Sequence, residues 1–104
     1  MQHEIIELVT FSAKDNTSKH TMIKANSDIH LWFRRQPGFL RRRLSQTRDG
    51  MWVDMIFWCD EACASQAASA FPHARETSAF RDLIEVQSVQ FHVANVVLMQ
   101  EGEW

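Results

Sequence analysis

The chain has 104 residues, enough for one domain with a modest core and too few for two. Its formal net charge of -2 argues against whole-chain attraction to nucleic acid or an anionic membrane, and no run approaches the ~18 apolar residues of a membrane span. Met1 to Glu4 lack a positive segment leading into an apolar run, so neither secretion nor insertion is expected, and the sequence reads as one cytoplasmic domain over residues 1–104.

The first element is a strand from Glu4 to Phe11, a β-branched and aromatic run broken only by Glu7 and closed by the polar stretch Lys14–Ser18. Thr17 or Ser18 can cap a helix whose apolar positions Met22, Ala25, Ile29, Trp32 and Phe33 recur at three- and four-residue steps, and which must stop before Pro37. Strand two runs from Phe39 to about Gln46, with Leu40 and Leu44 on one face and Phe39, Arg41 and Arg43 on the other. Asp49-Gly50 is a hairpin turn into strand three, Met51–Trp58. Asp60 caps an alanine-rich helix through Phe71 that Pro72 breaks; a short helical piece, Thr77–Ile84, precedes the last strand, Val89–Leu98.

Strand, helix, strand, strand, helix, strand is the split βαβ order, an α+β, ferredoxin-like βαββαβ fold with a four-stranded antiparallel sheet and helices on one face. Strand three is apolar on both faces, with Trp52, Ile56 and Trp58 opposed to Met51, Val53, Met55 and Phe57. If helices shelter one set, four to six large side chains stay exposed, each forfeiting about 1.5–3 kcal/mol of burial. A sheet-to-sheet homodimer removes that cost with a single self-complementary surface.

The two cysteines, Cys59 and Cys63, lack the second Cys/His pair of a structural zinc site, so no metal is expected. Cys63 reads as a small buried side chain, and Cys59 as a candidate reactive thiol at a helix start. Of eleven basic residues, six are arginines between Arg34 and Arg48. They alternate across a strand and a helix end instead of forming one stripe, and strand two is an edge where charge deters unwanted pairing, so nucleic-acid binding is not expected.

The stretch Arg35-Gln-Pro-Gly-Phe-Leu-Arg-Arg-Arg-Leu44, then Asp49-Gly-Met-Trp-Val-Asp54 and Trp58 before an alanine-rich helix, resembles the dimeric α/β barrel superfamily. Within it the chain is most similar to antibiotic biosynthesis monooxygenase-like proteins, over about residues 4 to 98. The resemblance implies cofactor-independent oxygenation of an aromatic or cyclic compound, with no cofactor and a homodimeric state. The haem-degrading branch of the superfamily is matched only by Trp58. Its strand-one Asn falls on Thr10 or Phe11, its helical His falls on Ala67 or Ala68 with His73 beyond, and no axial ligand remains.

Charged residues inside a sheet covered on both faces are the candidates for chemistry: Glu7, Arg42, Asp54 and His92. Alternation puts Trp52, Asp54 and Trp58 on one face, and His92 of strand four, flanked by Gln90 and Ala94, is expected to join them. The resulting pocket would offer indole walls from Trp58 and Trp52 to a flat aromatic ligand, Asp54 or His92 as proton acceptor, and Arg42 to offset anionic charge. Each has a plainer reading: Arg42 and Asp54 as a cross-strand ion pair, His92 as a hydrogen-bonded core or interface residue, the tryptophans as core. Glu7 is expected either to pair with an Arg across the dimer or to face solvent. Two functions follow, a cofactor-independent monooxygenase or a non-catalytic dimeric ligand-binding or stress-associated domain, separated by whether Asp54 and His92 border an open cavity.

Overall fold

The computed structural model describes residues 4–103. Four strands, β1 (Ile5–Phe11), β2 (Phe39–Gln46), β3 (Trp52–Trp58) and β4 (Gln90–Asn95), form one antiparallel sheet in the order β2-β3-β1-β4. Four short helices, α1 (Lys19–Ala25), α2 (Ile29–Arg34), α3 (Glu61–Ala70) and α4 (Ser78–Asp82), supply the second layer. This is the expected βαββαβ arrangement, with β2 as one edge and β4 as the other. No helix among the described residues is long and apolar enough to cross a membrane.

The hairpin and the caps sit where the residue types demand. Gly50 takes φ +93 in the β2–β3 turn, and Gly38 takes φ +79 after Pro37, both left-handed conformations that favour glycine. Ser18 caps α1 by accepting from the Thr21 N–H, and Asp60 caps α3 by accepting from the Cys63 N–H.

The single first helix expected from the sequence is two. Its buried stripe, Met22, Ile29, Trp32 and Phe33, continues across the break at Asn26–Asp28, so periodicity does not register the interruption. The break has a polar cause. The Asn26 side-chain amide donates to the Met22 carbonyl at 2.8 Å, closing α1, and its oxygen accepts from Arg42 of β2 at 2.9 Å.

A bulge between Phe39 and Arg41 changes the faces of β2. Phe39 pairs with Trp58 and Arg41 with Phe57, so Leu40 is the extra residue and Phe39 turns to the helix side, opposite Arg41 and Arg43. Alternation alone puts Phe39 with the two arginines. The aromatic ring instead stacks on Phe33 with centroids 5.0 Å apart. The last strand is also shorter than expected, ending at Asn95 in place of Leu98, after which Val97, Leu98 and Met99 are exposed.

The core lies between the sheet and the helices. Ile5, Phe11, Trp52, Ile56 and Trp58 from the sheet meet Met22, Ile29, Trp32, Phe33, Ala64, Ala67 and Phe80 from the helices. On the opposite face Ile6, Leu8, Val53, Met55 and Phe57 are half-buried, with no secondary-structure element of the described residues laid over them.

Candidate active site

Strand pairing decides which side chains meet. Paired residues of an antiparallel ladder point the same way, so Ile5, Glu7, Val9 and Phe11 of β1 share the helix side with Trp52, Asp54, Ile56 and Trp58 of β3. Between them and α2, α3 and α4 lies a cavity of about 230 Å³, bordered by Glu7, Asp54, Trp58, Phe33, Ala67 and Phe91 among others. Helix α3 turns only small methyl side chains, Ala67 and Ala68, toward it. The cavity reaches the surface at the β4 edge, where Val89 and Phe91 on its rim are 40% and 51% exposed.

Glu7 is 5% exposed and accepts a hydrogen bond at Oε1 from the Trp58 indole N–H, at 2.6 Å. Burial raises its carboxyl above the ordinary value of 4.5; the indole donor works in the opposite direction, and the charge of Asp54 adds to the rise. A carboxyl so placed in an apolar cavity is a stronger proton acceptor than an exposed one. Solvent exposure and a cross-dimer pairing with Arg, the two roles expected for Glu7, are both replaced by this intrachain contact. The signal for it was present in the sequence: Glu7 alternates with Ile5, Val9 and Phe11, all three on the core side.

Asp54 is held differently. Arg42 Nε and Nη2 donate to its two oxygens, both at 2.8 Å, while Nη1 donates to Asn26. The guanidinium also lies 5.2 Å from the ring centroids of Phe33 and Phe80. The bidentate fork fixes the Asp54 carboxylate and neutralises it, as the ion-pair reading of these residues expected.

His92 is not in this cavity. It pairs with Leu8, and Leu8 pairs with Met55, so its exposed imidazole stands on the opposite face of the sheet from Asp54. The connection into β4 is long and carries no turn motif to fix register, so alternation within the strand could not choose the face. Trp52 is on the expected face and buried. It borders a second, outer groove of about 540 Å³ together with Lys19, Asn26, His30, Arg42 and Leu44. The structure thus brings Asp54 and Trp58 together with Glu7, places Arg42 directly behind Asp54, and leaves Trp52 and His92 outside, so the cavity bordered by both Asp54 and His92 that was expected to mark an enzyme is not formed, and Asp54 shares its cavity with the Glu7 carboxyl instead.

The cysteines are both half-buried. The Asp60 carboxylate pushes the Cys63 thiol up to about 11, so Cys63 is a protonated side chain at the start of α3.

No family model matches the sequence, and no curated protein matches it significantly. Solved structures do resemble it. A point mutant of the cofactor-independent oxygenase SnoaB of Streptomyces nogalater is 19% identical with a TM-score of 0.72, over 92% of this chain and 95% of that one. A monooxygenase from the gene ActVA-Orf6 of Streptomyces coelicolor, solved with the ligand Nanaomycin D, is also 19% identical, with a TM-score of 0.71 over 97% and 94%. A Bordetella bronchiseptica protein assigned as an antibiotic biosynthesis monooxygenase is 14% identical, with a TM-score of 0.74 over 93% and 100%. With nearly the whole length of both chains superposed in each case, the chain has the ferredoxin-like fold of these antibiotic biosynthesis monooxygenase-like structures.

Proposed function

We propose that the protein is a cofactor-independent monooxygenase of a small hydroxylated aromatic or cyclic compound, with Glu7 as the proton acceptor. One observation carries the reading: a buried carboxyl of raised pKa, held by an indole N–H inside an apolar cavity. Oxygenation without a cofactor needs a substrate that supplies its own electrons once deprotonated. Glu7 would take a proton from a substrate hydroxyl, the ring carbon that then carries the carbanion would give its electrons to O2 and form the C–O bond, the peroxide would take the proton back from Glu7, and loss of water together with the hydrogen on that carbon would leave a carbonyl. Asp54, fixed by Arg42, would orient polar groups of the substrate, and Trp58 would offer its ring face. His92, expected beside Asp54 as one of two alternative proton acceptors, faces the other side of the sheet.

Cavity size sets the substrate class. About 230 Å³ lies between the ~150 Å³ that accommodates a benzene ring and the ~300 Å³ at which larger ligand sites begin. One or two fused rings fit that space; a larger molecule would extend through the Val89 and Phe91 rim. The fold likeness to SnoaB and to the ActVA-Orf6 monooxygenase supports the reaction class.

The second apolar face, Ile6, Leu8, Val53, Met55 and Phe57, is the proposed homodimer surface. In a cytoplasmic protein it would be covered by a twin sheet, with the exposed Val97, Leu98 and Met99 adding area beside it.

The decisive experiment is oxygen uptake above the spontaneous rate with one- and two-ring hydroquinones. Binding is read separately by tryptophan fluorescence, with Nanaomycin D, the ligand of the Streptomyces coelicolor neighbour, as a first probe. Glu7→Gln should lower turnover by about 10²–10⁴ while retaining binding. Wild-type turnover in that variant would remove Glu7 from the mechanism; binding without any oxygen uptake would make the protein a ligand-binding domain.

A further inference from the structure

We propose that Cys59, Asp60 and Cys63 together bind one thiophilic divalent cation of the zinc and cadmium class. The two Sγ atoms and a carboxylate oxygen lie within 4.8 Å of one another. A tetrahedral ion with thiolates at ~2.3 Å and carboxylate oxygen at ~2.0–2.2 Å sets its donors about 3.5–3.8 Å apart. The three groups need close by only about an ångström to meet that spacing, which side-chain rotation can supply.

The local chain explains why these atoms converge. Cys59 directly follows β3, Asp60 is the extended N-cap of α3, and Cys63 is the third helical residue. Capping spends one carboxylate oxygen: Oδ1 accepts from the Cys63 N–H at 2.8 Å and so draws that residue back over Asp60. The other oxygen, Oδ2, takes the long contact from the Cys59 thiol, at 3.8 Å.

Gly38 supplies independent support that both thiols are held against one wall. A β-carbon built there would stand 2.7 Å from Cys63 Sγ and 2.8 Å from Cys59 Sγ, and the Gly38 carbonyl accepts from the Cys59 N–H at 2.8 Å. Only bare backbone leaves room for the two sulfurs side by side. None of the ion pairs among the described residues engages Asp60, so no protein cation offsets the cluster.

Loading would exchange the two thiol protons for the cation, M²⁺ + 2 RSH + R′COO⁻ giving M(SR)₂(OOCR′)⁻ + 2 H⁺, with no change of oxidation state. Three protein donors leave the fourth position to water. That pattern is an exchangeable site rather than a closed structural one. The site is distinct from the Glu7 cavity, although Cys59 directly follows Trp58 and α3 contributes Ala67 to the cavity wall, so the cation would clamp the end of β3 to the first turn of that helix.

The test is titration of the reduced, metal-free full chain with Cd²⁺, read by the ultraviolet thiolate-to-cadmium charge-transfer band and by calorimetry. One Cd²⁺ should bind per chain, release protons and displace Zn²⁺ bound beforehand. Cys59→Ser and Cys63→Ser should each weaken binding by at least about tenfold, the loss that even outer partners of a metal ligand cause. Asp60→Asn keeps a good N-cap while removing the charge, so it should weaken Cd²⁺ binding with an unchanged circular dichroism spectrum, and it decides the matter if a serine variant misfolds. No charge-transfer band at stoichiometric Cd²⁺, or a band of undiminished affinity in any of the three variants, would overturn the proposal.

Discussion

Arg42→Ala should be far more damaging than a typical ion-pair deletion. The guanidinium gives two hydrogen bonds of 2.8 Å to Asp54 and a third of 2.9 Å to Asn26, and the paired side chains are only 13% and 7% exposed. An exposed pair contributes about 0–1 kcal/mol, whereas truncating one partner of a buried pair strands the other charge and costs about 3–5 kcal/mol. Domains of this size have about 5–15 kcal/mol in total, so the variant loses a large part of its stability. With a urea slope near ~1.5 kcal/mol/M, the midpoint followed by fluorescence of the buried tryptophans should fall by about 2–3 M. The double variant Arg42→Met, Asp54→Leu strands no charge and should unfold near the wild-type midpoint or above it. A fall under about 0.5 M for Arg42→Ala would mean the pair behaves as a surface contact, and the account of Asp54 as a buried, fixed carboxylate would be refuted.

Further expectations follow from the same geometry. Glu7 has a folded-state pKa above the ordinary 4.5, so its contribution to stability is complete below that value and is lost as pH rises through the folded pKa. Glu7→Gln should therefore gain on wild type as pH rises above the ordinary 4.5 and through the raised folded value, and a melting-temperature difference that does not change with pH would contradict it. Turnover should likewise rise with pH through an apparent pKa above the usual carboxylate range, and a flat profile would argue against a Glu7 base. Gly38→Ala forces a left-handed φ and a 2.7 Å contact with Cys63 on a residue with a β-carbon, and should cost at least about 1–3 kcal/mol by urea unfolding; an unaffected midpoint would deny the close approach. If the proposed homodimer forms, wild type should sediment as a dimer and Phe57→Glu, on the uncovered face, as a monomer; a monomeric wild type or an intact variant dimer would exclude that face as the interface.

Local chemistry accounts for what was legible in the sequence. Asp49-Gly50 fixed the β2–β3 hairpin, Pro37 and Pro72 stopped helices, and the capping residues Ser18 and Asp60 marked helix starts, because each acts within a few residues. What escaped depends on distant pairing. The face of His92 is set by β1 through a register no local turn declares, and Asn26 breaks the first helix in part because Arg42, sixteen residues later, takes its oxygen. Asp54 and Trp58 were placed correctly by alternation in β3. Glu7 shares the alternation of Ile5, Val9 and Phe11, but a lone carboxylate in an apolar strand outweighs that pattern unless its distant donor, Trp58, is known.

The irregularity at Leu40 implies that this position is dispensable to the sheet. Arg41 to Gln46 already take their partners one for one from Phe57 to Trp52, and Phe39 already sits across from Trp58. A chain lacking Leu40 would join 39 to 41 as ordinary neighbours and keep every later side chain on its present side. Such a shortened relative would gain a straighter border along β2 and forfeit a kink that discourages foreign strands from adding there. Tolerance of deletion at this one point, beside residues where a single-step slip would turn the arginines inside out, follows from where the spare residue was put.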